Sequence, residues 1–447
     1  MRKTILNAAM AYALTAQTTG LAANTQMAVR SAHEIAAIDI SVMPNADLER
    51  LKNNPSYDWW AEFGDTLIVA GSFNSLLSGS ANSNTFYKTV WSGLTSSDLE
   101  IAIAGHKNEI SESQAIMLAK SGRTSLIARR KKPIGQDSRL LDHSHVSLRR
   151  FVPNTVYVQS SLHDTSRTAW SEDQKSLALS VMDDVDPVRW YLDVGTLSNW
   201  NRHVSSVDIV SARDWIKEQF DKLSPTSSAI QKFNVLGRDA WNVIATFDAG
   251  PESDIYIIGG HYDSISERTS ESAPGAEDNA TGAAAVLELA RVFSDKKSKA
   301  TLIFITFSGE EEGLVGSKAY VRNLPAEVKS RVKGVLTMDM IGYSKDDSED
   351  VLLETASKFR PLLEQHAAAA KLVEGLRYYT SYNPFGSDHM PFIDSNIPAI
   401  LTIDNDWGDY PAYHRTSDTI DKVSRDMGAA ILRMNAGALA NMTGSSK

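Results

Sequence analysis

The chain contains no cysteine among its 447 residues. Disulfide bonds, thiol nucleophiles, zinc fingers and cysteine-ligated clusters are therefore excluded, and any metal site has to be built from His, Asp and Glu. No apolar run reaches the roughly 20 residues that a membrane-spanning helix needs. The formal net charge of −10 argues against nucleic-acid binding through a broad basic face. We therefore expect no nucleic-acid partner and no membrane span, and the oligomeric state stays open.

Residues 1–23 have the pattern of a secretory signal peptide. Arg2 and Lys3 precede a mildly apolar stretch, and small residues follow it, with Gly20-Leu21-Ala22 as one cleavage triplet. An ordinary amphipathic N-terminal helix is the alternative. The pattern predicts a secreted or periplasmic protein.

The next part of the chain, up to about residue 170, consists of short apolar runs that polar stretches interrupt. It predicts a small α/β or α+β unit, with strands at 66–70, 99–104 and 125–128 and a short helix at 113–120. The basic run 129–132 is interpreted as a solvated loop, and so is the pair His143 and His145. The polar stretch 160–175 marks the predicted domain boundary, at residue 170.

From residue 171 to 447, strand-like runs alternate with segments of helical spacing. The predicted strands are 255–258, 301–307, 335–340 and 399–403, and the predicted helices are 210–223, 280–293, 361–372 and 419–442. Such alternation over about 250 residues predicts an α/β fold with a mixed, largely parallel central sheet that helices flank.

Metal-capable side chains follow the predicted strands in an orderly series. They are His261, Asp278, Glu310, Glu311, Asp339 and His414. Ligands of such sheets bind beyond the carboxyl ends of the strands, so one rim of the sheet is expected to carry the site. Two His and three carboxylates suffice for two metal ions if one carboxylate bridges them, and Asp278, central in the series and at a helix start, is the natural bridge. Each residue alone has an ordinary interpretation as a helix cap or a solvated loop residue; their joint occurrence favours the metal site.

Six sequence blocks carry a resemblance to a known family. They are GGHYDS, PGAEDNATG, FSGEEEGLVGS, MDMIGY, GSDHMPF and YHRTSDT. In this order they resemble the signature blocks of the two-zinc aminopeptidases typified by bacterial secreted leucyl aminopeptidases, a family that also contains glutamate carboxypeptidases and glutaminyl cyclases. The resemblance covers roughly residues 190–445 and implies the zinc-peptidase fold and two Zn²⁺ ions.

The resemblance also implies roles for individual residues. One zinc would be bound by His261 and Asp339, the other by Glu311 and His414, with Asp278 bridging and Glu310 as the general base. The run of three Glu raises a question of register. In the family, base and ligand are adjacent and are followed by one variable residue and Gly-Leu. Gly313-Leu314 therefore makes Glu310 and Glu311 the pair and Glu312 the variable residue.

Supporting roles are predicted for four more residues. Asp263 and Asp388 are candidates to orient a ligand imidazole through its second nitrogen, whereas His389 is expected to be structural. Tyr413 is a candidate hydrogen-bond donor to the tetrahedral oxyanion, with packing as its alternative. The family often has a non-proline cis bond after the bridging Asp, here at Asp278-Asn279.

The implied function is an exported metallo-aminopeptidase that removes apolar first residues from peptides with a free N-terminus. Two alternatives keep the fold: a glutaminyl cyclase, and a glutamate-carboxypeptidase-like enzyme, for which Arg415 is a candidate cation. A third alternative is a non-catalytic peptide-binding protein. Residues 24–170 are predicted to be either a propeptide, removed from a zymogen, or a permanent accessory domain.

Overall fold

The structure of the protein is a computed structural model that describes residues 33–72, 76, 87–104, 115–129, 146–164 and 168–446. The predicted signal peptide, the pair His143 and His145 and the basic residues 130–132 lie outside these ranges. The described strands, β1 to β17, are His33–Asp39, Trp59–Gly64, Thr66–Ser72, Tyr87–Ser92, Leu99–Ala104, Ala115–Ser121, Thr124–Arg129, Val146–Arg150, Thr155–Ser160, Ser227–Val235, Arg238–Phe247, Ile255–His261, Thr301–Phe307, Val332–Met338, Asp350–Glu354, Arg377–Ser381 and Ala399–Asp404. The described α-helices, α1 to α10, are Asn45–Lys52, Glu172–Met182, Pro187–Leu197, Asp208–Lys222, Thr281–Ser294, Val315–Asn323, Ala326–Arg331, Arg360–Ala370, Met390–Asp394 and Arg425–Thr443.

Thirteen of these strands form one mixed sheet, in the order β10-β11-β13-β12-β14-β17-β15-β16-β9-β2-β3-β1-β4. Its centre, β13-β12-β14-β17, is parallel throughout. The flanking ladders are mostly antiparallel, with β15–β16 and β2–β9 as the parallel ones. The predicted mixed sheet with a parallel centre is confirmed.

Helices cover both faces of the parallel centre. Ile258 and Phe304 point into a cluster that contains the apolar residues of α5 and α10. Ile257 and Phe307 point to the opposite face, where they pack with Tyr320 of α6 and Phe392 of α9. Strands that are buried on both faces are apolar at every position, which explains the uninterrupted run TLIFITF of β13.

Strands β1 to β4 and β9 of the N-terminal part extend the same sheet. β9 pairs with β16 on one side and with β2 on the other. The second sheet, in the order β6-β7-β5-β8, is antiparallel. Apolar residues of β1 to β3 and of β5 to β7 share one core cluster, to which Phe385 adds its ring.

The helix predicted at 113–120 was wrong, because residues Ala115–Ser121 form strand β6. β6 pairs with β7 in a hairpin whose turn contains Gly122 at φ +51°. A left-handed turn residue favours glycine, and the pairing that this turn allows outweighs the local helical pattern. The final helix is also shorter than predicted: it begins at Arg425, with the Ser424 side chain accepting a hydrogen bond from Met427 N. Across the described residues, no helix has the length and apolar character that crossing a membrane would require.

Candidate metal centre

The metal-capable residues lie at the carboxyl ends of the four central parallel strands. His261 is the last residue of β12, and Asp339 directly follows β14. Glu310 and Glu311 come shortly after β13, and His414 follows β17 through a longer loop. Asp278 lies between β12 and α5. The fold therefore brings together all six residues that the sequence singled out.

The carboxylate of Asp278 stands between the two imidazoles. Its Oδ1 is 3.5 Å from His261 Nε2, and its Oδ2 is 3.0 Å from His414 Nε2. One oxygen thus faces each histidine, which is the arrangement that a bridging carboxylate requires. The predicted cis peptide bond between Asp278 and Asn279 is present.

Two groups of side chains surround this bridge. His261 Nε2 lies 3.2 Å from Asp339 Oδ1 and 4.0 Å from Glu310 Oε2. On the other side, His414 Nε2 lies 3.1 Å from Glu311 Oε2. The ligand atoms of His261, Glu310 and Asp339 are all within 4.8 Å of one another, as are those of Asp278, Glu311 and His414.

The electrostatics of the cluster favour positive charge. Burial lowers the pKa of His261, but the charges of Glu310 and Asp339 more than offset this, and the pKa lies well above its ordinary value. Burial likewise opposes protonation of His414, yet Glu311 and Asp278 raise its pKa to about 10. Burial raises the pKa of Glu311 to about 7, with the charge of His414 acting in the opposite direction. The site thus holds excess buried carboxylate that a cation would neutralise.

The donor set fits zinc. Imidazole nitrogen and carboxylate oxygen are both ligands of Zn²⁺. Each imidazole directs Nε2 at the carboxylates, and His261 Nδ1 points away, towards the backbone oxygen of Asp263 at 3.2 Å and its carboxylate at 3.6 Å. A partner on the second nitrogen fixes which nitrogen is free to bind a metal ion. Asp263 Oδ2 also accepts a hydrogen bond from Glu311 N, so it links both groups.

The remaining predicted residues occupy different surroundings. The ring of Tyr413 stacks on that of His414, with centroids 3.9 Å apart, and burial and the charge of Asp278 raise the pKa of its hydroxyl. Asp388 is buried, and burial and the charge of Glu310 raise its pKa well above the ordinary value. His389 belongs to neither of the two metal-capable groups. Its Nε2 lies 3.6 Å from Glu354 Oε1. Glu312 lies 3.3 Å from His203 Nε2, away from the bridge.

Sequence reasoning missed three residues that hold the ligands. Asp418 accepts hydrogen bonds from the backbone amides of Glu277 and Asp278 and from the Tyr410 hydroxyl, at 2.8, 3.0 and 2.6 Å. Ser387 donates to Asp339 Oδ2 at 2.7 Å. Their positions in the blocks YHRTSDT and GSDHMPF were the available signal, although polar residues in loops are too common to be singled out without the fold.

Asn279 is the third missed residue. Its side chain donates to Met338 O and accepts from the amides of Gly282 and Met340, so it ties the end of β14 to the start of α5. The backbones of α5 and β14 approach each other closely here, and only a glycine fits at position 282. A Cβ at Gly282 would lie 2.3 Å from Met338 O. Asp278 and Asp339 are thereby held at a fixed separation.

Part of the chain is similar to a known protein family. Residues 242–439 match the profile of peptidase family M28, and this match covers less than half of the chain. We refer to residues 242–439 as the M28 region. The M28 region contains all six metal-capable residues.

Two curated relatives are similar over parts of the chain. A probable zinc metalloprotease of Pyricularia oryzae is 34% identical over 188 residues, which are 37% of this chain and 37% of that protein. Leupeptin-inactivating enzyme 1 of Streptomyces exfoliatus is 30% identical over 228 residues, which are 45% of this chain and 48% of the relative. The chain thus spans less than half the length of these relatives.

The fold has counterparts among solved structures. The LapA aminopeptidase of Legionella pneumophila superposes with a TM-score of 0.54 at 16% identity, covering 77% of this chain and 98% of that one. At this identity the similarity is one of fold. Its coverage reaches beyond the M28 region.

Proposed function

We propose that the protein is an aminopeptidase that binds two zinc ions and hydrolyses the first peptide bond of peptides with a free N-terminus. The observation that carries the proposal is the Asp278 carboxylate, whose two oxygens face two different imidazoles. The similarity of the M28 region to a peptidase family supports the reaction class.

The residues divide naturally into two ligand sets that share Asp278. His261 and Asp339 would hold one zinc ion, and Glu311 and His414 the other. When bound, two such ions polarise a substrate carbonyl and make a water molecule acidic enough to supply the nucleophile. The protein contributes the fixed spacing, the buried surroundings and the hydrogen bonds that orient each ligand.

Glu310 is proposed as the general base. Its carboxylate is fully buried, and it lies farther from His261 Nε2 than either Asp278 or Asp339 does. This leaves Glu310 beside the cluster, where it can accept a proton from the attacking water and deliver it to the leaving amine. Glu310 comes three residues after the end of β13, so the rigid strand limits its distance from the proposed ligands.

Tyr413 is proposed to donate a hydrogen bond to the oxygen that becomes negative during the reaction. Its raised pKa keeps the hydroxyl protonated, as a donor has to be. The ring is fixed by stacking on His414 and by an edge contact with Trp407.

A small cavity beside the cluster has room for about one water molecule. Asp278, Asp339 and Tyr413 line its polar side, and Met340, Ile403 and Trp407 line its apolar side. The preference for an apolar first residue stays a prediction from the sequence. The substrate amine would be held by carboxylates at the metal-facing side, with Glu310 and Asp339 as the candidates.

The alternatives of the same fold receive less support. A carboxypeptidase-like reaction needs a free cation for the terminal carboxylate. Arg415 is exposed, and the cation that lines the cavity, Arg123, is engaged by carbonyl and carboxylate groups of the protein. Glutaminyl cyclases of the resembling family usually use one zinc, whereas the ligand set here is sufficient for two. Export is proposed from the pattern of residues 1–23 alone.

Zinc titration of the full-length protein tests the shared ligand. We expect the wild type to bind two equivalents, and Asp278→Ala to weaken both sites because both lose an oxygen. Asp421→Ala is the matched control, since Asp421 is an exposed residue that contacts Thr419 and Lys422. If Asp278→Ala still binds two zinc ions with wild-type affinity, the bridging role is wrong.

A further inference from the structure

A buried arginine from the four-stranded sheet reaches the metal centre. Arg123 lies in the turn between β6 and β7, and only 2% of its surface is exposed. It lines the same cavity as Asp278, Asp339 and Tyr413. Its guanidinium lies 5.5 Å from the centre of the Trp407 ring. This residue belongs to none of the sequence blocks that resemble the two-zinc family.

The guanidinium of Arg123 connects three parts of the molecule. Nε donates to Ala104 O of β5 at 3.0 Å, and one terminal nitrogen donates to Gly386 O at 2.6 Å. The other terminal nitrogen lies 3.7 Å from Glu354 Oε1, and Glu354 is fully buried. A buried ion pair with its donors also satisfied is held in one geometry, because any departure leaves a charge without a partner.

The carboxylate of Glu354 and the guanidinium of Arg123 form hydrogen bonds with adjacent residues of one loop. Glu354 Oε1 accepts from Phe385 N at 3.2 Å, while Arg123 donates to the carbonyl of the next residue, Gly386. Gly386 has φ +49°, a left-handed conformation. The loop backbone is thus held at the amide of Phe385 and at the carbonyl of Gly386. Without these two hydrogen bonds the glycine could adopt other backbone conformations.

The next residue of that loop touches a metal ligand. Ser387 donates its hydroxyl hydrogen to Asp339 Oδ2 at 2.7 Å, and Asp339 Oδ1 faces His261 Nε2. A chain of direct contacts therefore leads from Arg123 through Gly386 and Ser387 to Asp339. A second route leads from Arg123 through the rings of Trp407 and Tyr413 to His414, but it consists of ring contacts. The route to Asp339 passes through directional hydrogen bonds at Gly386 and Ser387, which fix the orientation of a carboxylate more closely.

Other contacts of the loop also come from the part of the chain before residue 160. Arg149 of β8 donates to Asn383 Oδ1 and Pro384 O, at 3.2 and 3.1 Å. Asn383 in turn donates to Tyr157 O of β9 at 3.4 Å. The loop 383–387 is therefore anchored on the four-stranded sheet and on β9.

We propose that Arg123 is a positioning residue that, through Gly386 and Ser387, orients Asp339 for binding one of the two zinc ions. The inference rests on the proposed function for the number of zinc ions. It makes the four-stranded sheet a permanent part of the metal centre. It also predicts that the two zinc sites respond differently to one substitution.

The test is a chelator-competition titration of zinc on the full-length protein. Arg123→Ala is expected to weaken one of the two zinc sites by about 10–100-fold, the range for residues that orient metal ligands. The second site keeps wild-type affinity. The matched control is Arg129→Ala, because Arg129 is exposed at the end of the same hairpin and pairs with Glu100.

A double-mutant cycle separates positioning from general loosening of the fold. Ser387→Ala is expected to weaken the same site, and the Arg123→Ala/Ser387→Ala pair to be no weaker than the stronger single effect, since both act through one contact chain. Equal weakening of both zinc sites, additive effects, or unchanged affinity in Arg123→Ala would each overturn the proposal.

Three further results separate the role of Arg123 from the proposed aminopeptidase function. If Arg123→Ala does not fold, Arg123→Lys replaces it in the test, because this variant keeps the charge and loses the three-way contact. Arg123→Lys then has to weaken the same zinc site as Ser387→Ala. If it does not, the proposal is wrong. A wild-type protein that binds two zinc ions and cleaves no peptide would refute the aminopeptidase function and leave the role of Arg123 standing. A wild type that binds no zinc refutes both.

Discussion

At the scale of single residues, the proposed chemistry depends on one carboxylate, Glu310, exchanging a proton while its neighbours bind metal. Glu310 and Glu311 are adjacent in sequence, yet Glu310 lies in the group with His261 and Asp339, whereas Glu311 lies in the group with Asp278 and His414. Glu312, the third member of the run, pairs with His203 instead. Three identical residues in succession thus have three different surroundings.

Replacing Glu310 by Gln removes the proposed base and keeps the shape of the side chain. We expect kcat to fall by about 10²–10⁴-fold, the usual contribution of a general base, with zinc content unchanged. Steady-state kinetics and metal analysis on the same preparation measure both. Glu312→Gln is the control and is expected to stay close to the wild type. A Glu310→Gln enzyme with wild-type kcat would exclude the assigned role.

Zinc binding is expected to release protons. In the metal-free protein His414 has a pKa of about 10, so its imidazole is protonated at pH 8, and the pKa of His261 is raised well above its ordinary value in the same direction. Zinc binds the neutral imidazole, so its apparent affinity should rise as pH increases towards 10. Calorimetric titration at pH 8 in two buffers of different ionisation enthalpy measures the release. Binding without proton release would contradict these pKa values.

At the scale of elements, the site depends on loops that begin where parallel strands end. The segment before α5, which carries Asp278, is held from outside by Asp418. Burial raises the pKa of Asp418 to about 6, although the hydrogen bonds from Tyr410 and from two backbone amides lower it. The loop after β17 therefore supplies both a proposed ligand, His414, and the residue that holds the backbone of the proposed bridge, Asp418.

Asp418→Ala is expected to destabilise this segment. It leaves two buried amides and a buried hydroxyl without their acceptor. Each hydrogen bond to a charged group contributes roughly 1.5–3 kcal/mol to the free energy of unfolding. Chemical unfolding should therefore show a loss of at least this size in the free energy of unfolding, together with weaker zinc binding. Asp421→Ala serves as the exposed comparison. Unchanged zinc affinity in a folded Asp418→Ala protein would show that Asp418 does not position the bridge.

The sequence predicted the central elements well, for a physical reason. Strands buried on both faces, such as Thr301–Phe307, have to be apolar throughout, and their carboxyl ends are marked by polar ligands. It predicted the region before residue 160 less well: segment 115–121 forms a strand because its partner β7 and the turn at Gly122 decide its conformation. Contacts between distant segments, such as Arg123 with Gly386, leave no local pattern and were not predictable.

At the scale of the whole molecule, the question is whether residues before 168 can be removed. The 13-stranded sheet continues across this boundary through the β9–β16 ladder, and Arg123 and Arg149 hold a loop of the metal centre. These contacts favour a permanent accessory part of the enzyme over a removable propeptide, the two roles that the sequence left open.

A truncated chain of residues 168–447 distinguishes these roles. Its strand β16 would become an unprotected sheet edge, and loop 383–387 would lose its anchors, so we expect aggregation or at least the loss of one zinc site. Size-exclusion chromatography and zinc titration are the measurements. A soluble, monodisperse truncated protein that binds two zinc ions with wild-type affinity would favour the propeptide.

The central claim, hydrolysis of a terminal peptide bond at a metal centre, is tested most directly with one pair of peptides. One begins with a free Leu, and the other is the same peptide with an acetylated N-terminus. Mass spectrometry of zinc-loaded full-length protein should show loss of Leu from the free peptide only, and a chelator should abolish it. Cleavage of the acetylated peptide at the same rate, or no cleavage of either by zinc-loaded protein, would contradict the aminopeptidase function.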